Sequence, residues 1–135
     1  MINIIYGSKG SGKTKQIIDM ANAAVESAKG SIVYITDTMN HSRSVNNGAR
    51  YVITNDYDIT DVKTLKGFIA GMLAGNYDIE HVFIDGAARI AKSKIAGIRP
   101  VILFMEKRAD VTFTLTVSAD LPDIPAFIKK HIKKT

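Results

Sequence analysis

Between an apolar run at residues 2–6 and a helical stretch from residue 13, the chain reads Gly7-Ser8-Lys9-Gly10-Ser11-Gly12-Lys13-Thr14. This octet fits the pattern G-x-x-x-x-G-K-[ST] at every fixed position. It constrains the fold more than any other feature, because such a loop works only where a strand leads into it and a helix starts at its end. Glycines at 7, 10 and 12 let the backbone wrap closely, so that successive N–H groups point inward at phosphate oxygens. The helix that follows adds its partly positive N-terminus to the same spot. Lys13 would reach the β- and γ-phosphates, and the Thr14 hydroxyl would complete a Mg²⁺ shell. A Gly/Ser-rich turn with a solvated lysine shares this composition but not the strand–loop–helix setting. The octet therefore implies a nucleoside triphosphate as ligand.

Beyond the octet, strand-like and helix-like patterns alternate. A helix is predicted over 13–28, where Ile17, Ile18, Ala21, Ala24, Val25 and Ala28 recur at helical spacing, with Gly30 as its stop. Strands follow at 31–36 and 51–54, separated by a polar stretch at 37–47. A second helix over 61–74 takes Thr60 as N-cap and turns Val62, Leu65, Phe68, Ile69, Met72 and Leu73 inward. Residues 82–85 form a fourth strand, apolar enough to be buried on both faces. The stretch 87–108 reads as mainly helical with breaks near Gly97 and Pro100. Residues 111–117 form a fifth strand with strict alternation of apolar residues and threonine, and a closing helix spans about 124–134. Strands alternating with helices imply right-handed crossovers. The expected fold is thus a three-layer α/β/α sandwich with a mainly parallel five-stranded sheet, folding as a single domain over residues 1–135. Ligands of such sheets sit at the carboxyl ends of the strands, so further functional residues should follow strands.

Composition narrows the classes. No apolar stretch approaches the ~20 residues that span a bilayer. The first strand begins at Ile2, which leaves no room ahead of it for a signal peptide. The absence of cysteine excludes a disulfide framework, thiolate chemistry and cysteine zinc sites, and His41, His81 and His131 are scattered. A cytoplasmic location and no membrane association are expected. Four lysines (Lys129, Lys130, Lys133, Lys134) lie in the last seven residues and account for most of the net charge of +5. Such a tail keeps a terminal helix soluble, and nucleic-acid binding has no support outside it.

Asp85 follows three apolar residues, the pattern of a Mg²⁺-associated carboxylate after a buried strand. Taken together, 7–14, then Ile32-Val33-Tyr34-Ile35-Thr36-Asp37, then Val82-Phe83-Ile84-Asp85, the chain resembles the RecA-like branch of phosphate-loop NTPases over about residues 1–120. That resemblance implies ATP and Mg²⁺ as ligands, with Thr14 and Asp85 as metal-side residues. It also implies that the fifth strand inserts between the loop strand and the aspartate strand. Ser118 would then lie near the γ-phosphate, with Asp120 a weaker candidate.

The departures bear on activity. RecA-like ATPases carry a glutamate past the second strand, and related branches carry one directly after the Mg²⁺ aspartate. Here Gly86 follows Asp85, and Asp37 is the only acid suitably placed past the second strand. With Lys13, it is the catalytic candidate, positioning water for a weak ATPase. Capping a turn is its alternative role. Arg43, Arg50, Arg89 and Arg99 are candidates for a phosphate-stabilising arginine, in cis or from a neighbour in a homo-oligomer. A nucleotide-dependent switch or adaptor with little turnover is the second reading, in which the loop from Asp37 to Arg50 moves with the nucleotide and a protein partner reads it. A small nucleoside or nucleotide kinase fits less well, because Gly86 lacks the acid that would deprotonate an acceptor and no arginine-rich lid is present.

Overall fold

A computed structural model describes residues 1–132. Five strands, β1 (Ile2–Gly7), β2 (Ser31–Thr36), β3 (Ala49–Ile53), β4 (Ile79–Ile84) and β5 (Thr112–Ser118), form one sheet in the order β1-β5-β4-β2-β3. Every pair in it is parallel. The last strand therefore lies between the first and the fourth, as the resemblance implied. Residue pairing puts Gly7, where the loop begins, opposite Ser118.

The alternation along each strand divides the core in two. On one face α1 (Lys13–Ser27) lays Ile17, Ile18 and Ala21 against Ile5, Ile32, Tyr34 and Phe83, with Val45 closing the edge. On the other face α2 (Val62–Gly75), α3 (Ala87–Ile90), α4 (Arg99–Glu106) and α5 (Ala126–Lys129) cover Val33, Ile35, Val82, Ile84, Phe113, Leu115 and Val117. Both faces of the sheet are thus filled, which gives the expected three layers.

Local details depart from the sequence reading in instructive ways. Asp61, not Thr60, caps α2: its carboxylate accepts from the Thr64 N–H at 2.7 Å while the Thr64 hydroxyl accepts from the Asp61 N–H at 3.1 Å. The first helix ends at Ser27, with Ala28 already extended, and Gly30 instead donates its N–H to Glu80 Oε1 at 2.8 Å. Pro100 does not interrupt a helix but occupies the first turn of α4, where its missing N–H costs nothing. The break in the α-helix begins at Ala91, passes Lys92 with its φ of 50°, and includes Gly97, as expected, in a 3-10 turn at Ile95–Ile98. Ile124 is held extended before Pro125, so α5 starts only at Ala126. Backbone hydrogen bonds carry its turns on to Ile132, and Lys133 and Lys134 of the expected closing helix lie outside the described residues.

Along β5 the threonines that alternate with apolar residues are covered too: Thr114 and Thr116 are as buried as Phe113 and Leu115. Being central, β5 is covered on both sides, and its threonines turn their hydroxyls toward polar partners on the α1 face.

Candidate functional site

The 7–14 loop passes from the end of β1 into α1 through left-handed turns at Gly10 (φ 84°) and Gly12 (φ 91°), conformations that suit glycine. Gly12 is the N-cap of α1 and has no side chain to offer, and the first turn carries no acid. The leading N–H groups of the helix therefore lack a side-chain acceptor and lie at its positive end, an arrangement suited to an anion. Ser8, Lys9, Gly10, Ser11 and Gly12 are exposed. Lys13 reaches back across the loop and donates from Nζ to the Ser8 carbonyl at 2.8 Å.

Asp85 caps the end of β4 beside that helix. Its Oδ2 accepts from the Thr14 hydroxyl at 3.0 Å, and its Oδ1 accepts from the Thr116 hydroxyl at 2.8 Å. Thr116 in turn accepts the Gly86 N–H at 2.7 Å. Tyr34, fully buried in β2, approaches Oδ2 at 3.5 Å and stacks on Tyr51, their ring centroids 5.4 Å apart. Burial, followed by the neighbouring Asp85 charge, raises the Tyr34 phenol well above its ordinary value, so the hydroxyl keeps its proton as a donor. The carboxylate is itself buried, and hydroxyls from three neighbouring elements fix its orientation.

Asp37 follows β2 one strand away. Both its oxygens accept from Arg89, Oδ2 from Nε and Oδ1 from Nη2, each at 2.9 Å. The same Nη2 donates to the Asp85 carbonyl, also at 2.9 Å. The guanidinium holds Asp37 below the ordinary carboxylate range, and Asp37 raises Arg89 in return. Gly86, with φ at 86°, leaves the space that Arg89 fills: a Cβ there would meet its guanidinium.

The sequence-derived residues thus gather at one edge of the sheet: the 7–14 loop, Asp85, Asp37, and Ser118 exposed at the end of β5. Among the four candidate arginines, Arg89 touches this cluster, whereas Arg50 reaches the Tyr57 hydroxyl at 3.4 Å and Arg99 opens α4. The 37–48 segment is pinned rather than loose. Tyr51 donates to the Thr38 carbonyl at 2.6 Å, Asn22 joins Ser44 and Asn46, and Val45 is buried.

Sequence reasoning passed over Thr116 and Tyr34. Each lies within a strand, where a threonine reads as the outward half of an alternation and a tyrosine as core. The available signal was parity: on the central strand next to the loop, every second side chain must face α1. For a metal, the donors are one hydroxyl and one carboxylate, and among the described residues no cluster of three or more His, Cys, Asp or Glu exists. Such a set suits Mg²⁺ bound together with phosphates, not an all-protein cage.

Compared with solved structures, the chain is similar to the flagellar accessory protein FlaH from Methanocaldococcus jannaschii, with a TM-score of 0.61 and 16% sequence identity. The match covers 93% of this chain and 63% of FlaH, so the chain spans under two thirds of that protein's length. The likeness shows the fold alone, a parallel five-stranded α/β sheet with helices on both faces. The sequence matches no family model and no curated protein. No helix among the described residues is long and apolar enough to cross a membrane.

Proposed function

We propose that the chain binds a nucleoside triphosphate, ATP, with Mg²⁺ and hydrolyses it slowly. One observation carries this reading: the Thr14 hydroxyl and the Asp85 carboxylate, 71 residues apart in sequence, meet at 3.0 Å beside an uncapped helix N-terminus. The N–H groups of the 7–14 loop would hold the β-phosphate, and Lys13 would exchange the Ser8 carbonyl for phosphate oxygens. Thr14 and Asp85 would hold Mg²⁺, which when bound offsets charge on the phosphates. Ser118, opposite Gly7, would offer a hydroxyl toward the terminal phosphate. Asp37 would orient the attacking water. While its pairing with Arg89 holds, Asp37 is a weak base, so it would act on water only once that pair opens. That pairing also favours the second reading, a nucleotide-dependent switch that reports to a protein partner or a second copy. A cytoplasmic location is part of the same proposal.

Binding of fluorescent ATP with Mg²⁺, followed by phosphate release, tests both readings in the native chain, Lys13→Ala and Asp37→Ala. Turnover lost in both variants, with ATP still bound by Asp37→Ala, supports the ATPase. Tight binding without turnover in the native chain rejects the enzyme and leaves the switch. No binding by the native chain rejects both.

A further inference from the structure

Arg89 joins the ends of two neighbouring strands. It grips Asp37 after β2 with two parallel hydrogen bonds and the Asp85 carbonyl after β4 with a third. Thr14 of the phosphate loop lies on the other side of that same Asp85. The guanidinium is therefore separated from the metal-side hydroxyl by the span of a single residue. Its paired N–H donors match a phosphate as well as they match a carboxylate. The pair is open to solvent, the Arg89 side chain 52% exposed and that of Asp37 27%, so a second anion can reach the guanidinium and compete with the carboxylate. A carboxylate carries one charge, and a terminal phosphate carries about two. Gly86 makes room for the guanidinium over the strand end, since a Cβ there would meet it where it lies.

We propose that Arg89 is the residue by which this site distinguishes a nucleoside triphosphate from a diphosphate, releasing Asp37 to take the terminal phosphate. The inference rests on the reading of residues 7–14 as a nucleotide loop, and it adds a consequence to it. A diphosphate leaves the Arg89–Asp37 pair closed. A triphosphate opens it, freeing the Asp37 carboxylate for water and moving the start of α3, so that one arginine couples phosphate count to both catalysis and shape.

The test is the affinity of a non-hydrolysable ATP analogue against that of ADP, both with Mg²⁺, by titration of fluorescent derivatives. Arg89→Ala should lower the triphosphate-over-diphosphate preference about tenfold while leaving ADP affinity unchanged, and Arg89→Lys should recover part of it. Asp37→Asn, which removes the competing charge, should strengthen triphosphate binding alone. A preference within about twofold of native in Arg89→Ala overturns the inference, and so does an equal fall in both affinities. Failure of the nucleotide reading itself is distinguishable, because the native chain would then bind neither nucleotide. Coincident unfolding midpoints of native and Arg89→Lys chains ensure that the comparison concerns binding.

Discussion

Thr14 and Asp85 are joined by a 3.0 Å hydrogen bond that closes the gap between the first helix and the fourth strand. A neutral amide at position 85 would fill the same space and keep hydrogen-bonding capacity, yet it would remove the charge that attracts a divalent cation. Asp85→Asn should therefore bind ATP equally well with Mg²⁺ and with a chelator, whereas the native chain should gain about tenfold or more from Mg²⁺. Calorimetric titration under both conditions reads the difference. Full Mg²⁺ enhancement in the variant would remove Asp85 from the metal side of the site.

The Thr116 hydroxyl serves two buried partners at once, accepting from the Gly86 N–H and donating to Asp85. Thr116→Val keeps the shape of the side chain but leaves the N–H and one carboxylate oxygen without a partner. A loss of about 1–3 kcal/mol is expected from the desolvated groups, measured as a lower urea midpoint at unchanged slope. Thr116→Ser should lose less. Equal stability of the valine variant would mean that water reaches these atoms.

Most of the strand and helix order was legible because each element has a period of its own, and the loop at 7–14 fixed where the first strand ends and the first helix begins. The place of β5 between β1 and β4 came from the resemblance, not from β5's own residues. What stayed hidden depends on neighbours. Thr116 acquires a role only because β5 is central, and Arg89 only because the chain turns at Gly86 with a positive φ that returns the guanidinium over the strand end. The choice of Asp61 over Thr60 as cap turned on one residue of register, which periodicity cannot resolve.

Gly86→Ala combines two costs. An L-residue at a φ of 86° is strained, and the new methyl group meets the Arg89 guanidinium. The expected destabilisation is about 1–3 kcal/mol. In an Arg89→Ala background the steric part disappears and the backbone part remains, so the two substitutions should couple by about 0.5 kcal/mol or more. Denaturant unfolding of the four chains of the cycle measures this. Strict additivity would show that Arg89 moves aside at no cost, and the space over Gly86 would then not be reserved for it.

At the opposite end of the sheet, His81 stacks on Phe83 with ring centroids 3.9 Å apart, and its Nε2 lies 2.7 Å from the Thr114 hydroxyl. Asn3 donates to that same hydroxyl at 3.2 Å, so the arrangement that satisfies all three has Thr114 donating to a neutral imidazole. Burial first, and the positive N-terminus second, push the His81 pKa from 6.5 down to about 4. Below pH 6.5 the unfolded chain takes up a proton that the folded chain refuses. The contribution of His81 is therefore fully present above pH 6.5 and is lost as pH falls toward about 4. Partial exposure of the ring makes the loss smaller than the shift alone implies. The carboxylates held low (Asp37, Asp61 and Glu106) have ordinary values of 3.8, 3.8 and 4.5, so their losses come at lower pH. Urea midpoints at pH 7, 6 and 5 should fall in the native chain and fall less in His81→Gln, which keeps an acceptor for Thr114 without the titrating ring. Parallel declines in the two chains would assign the pH dependence to another group.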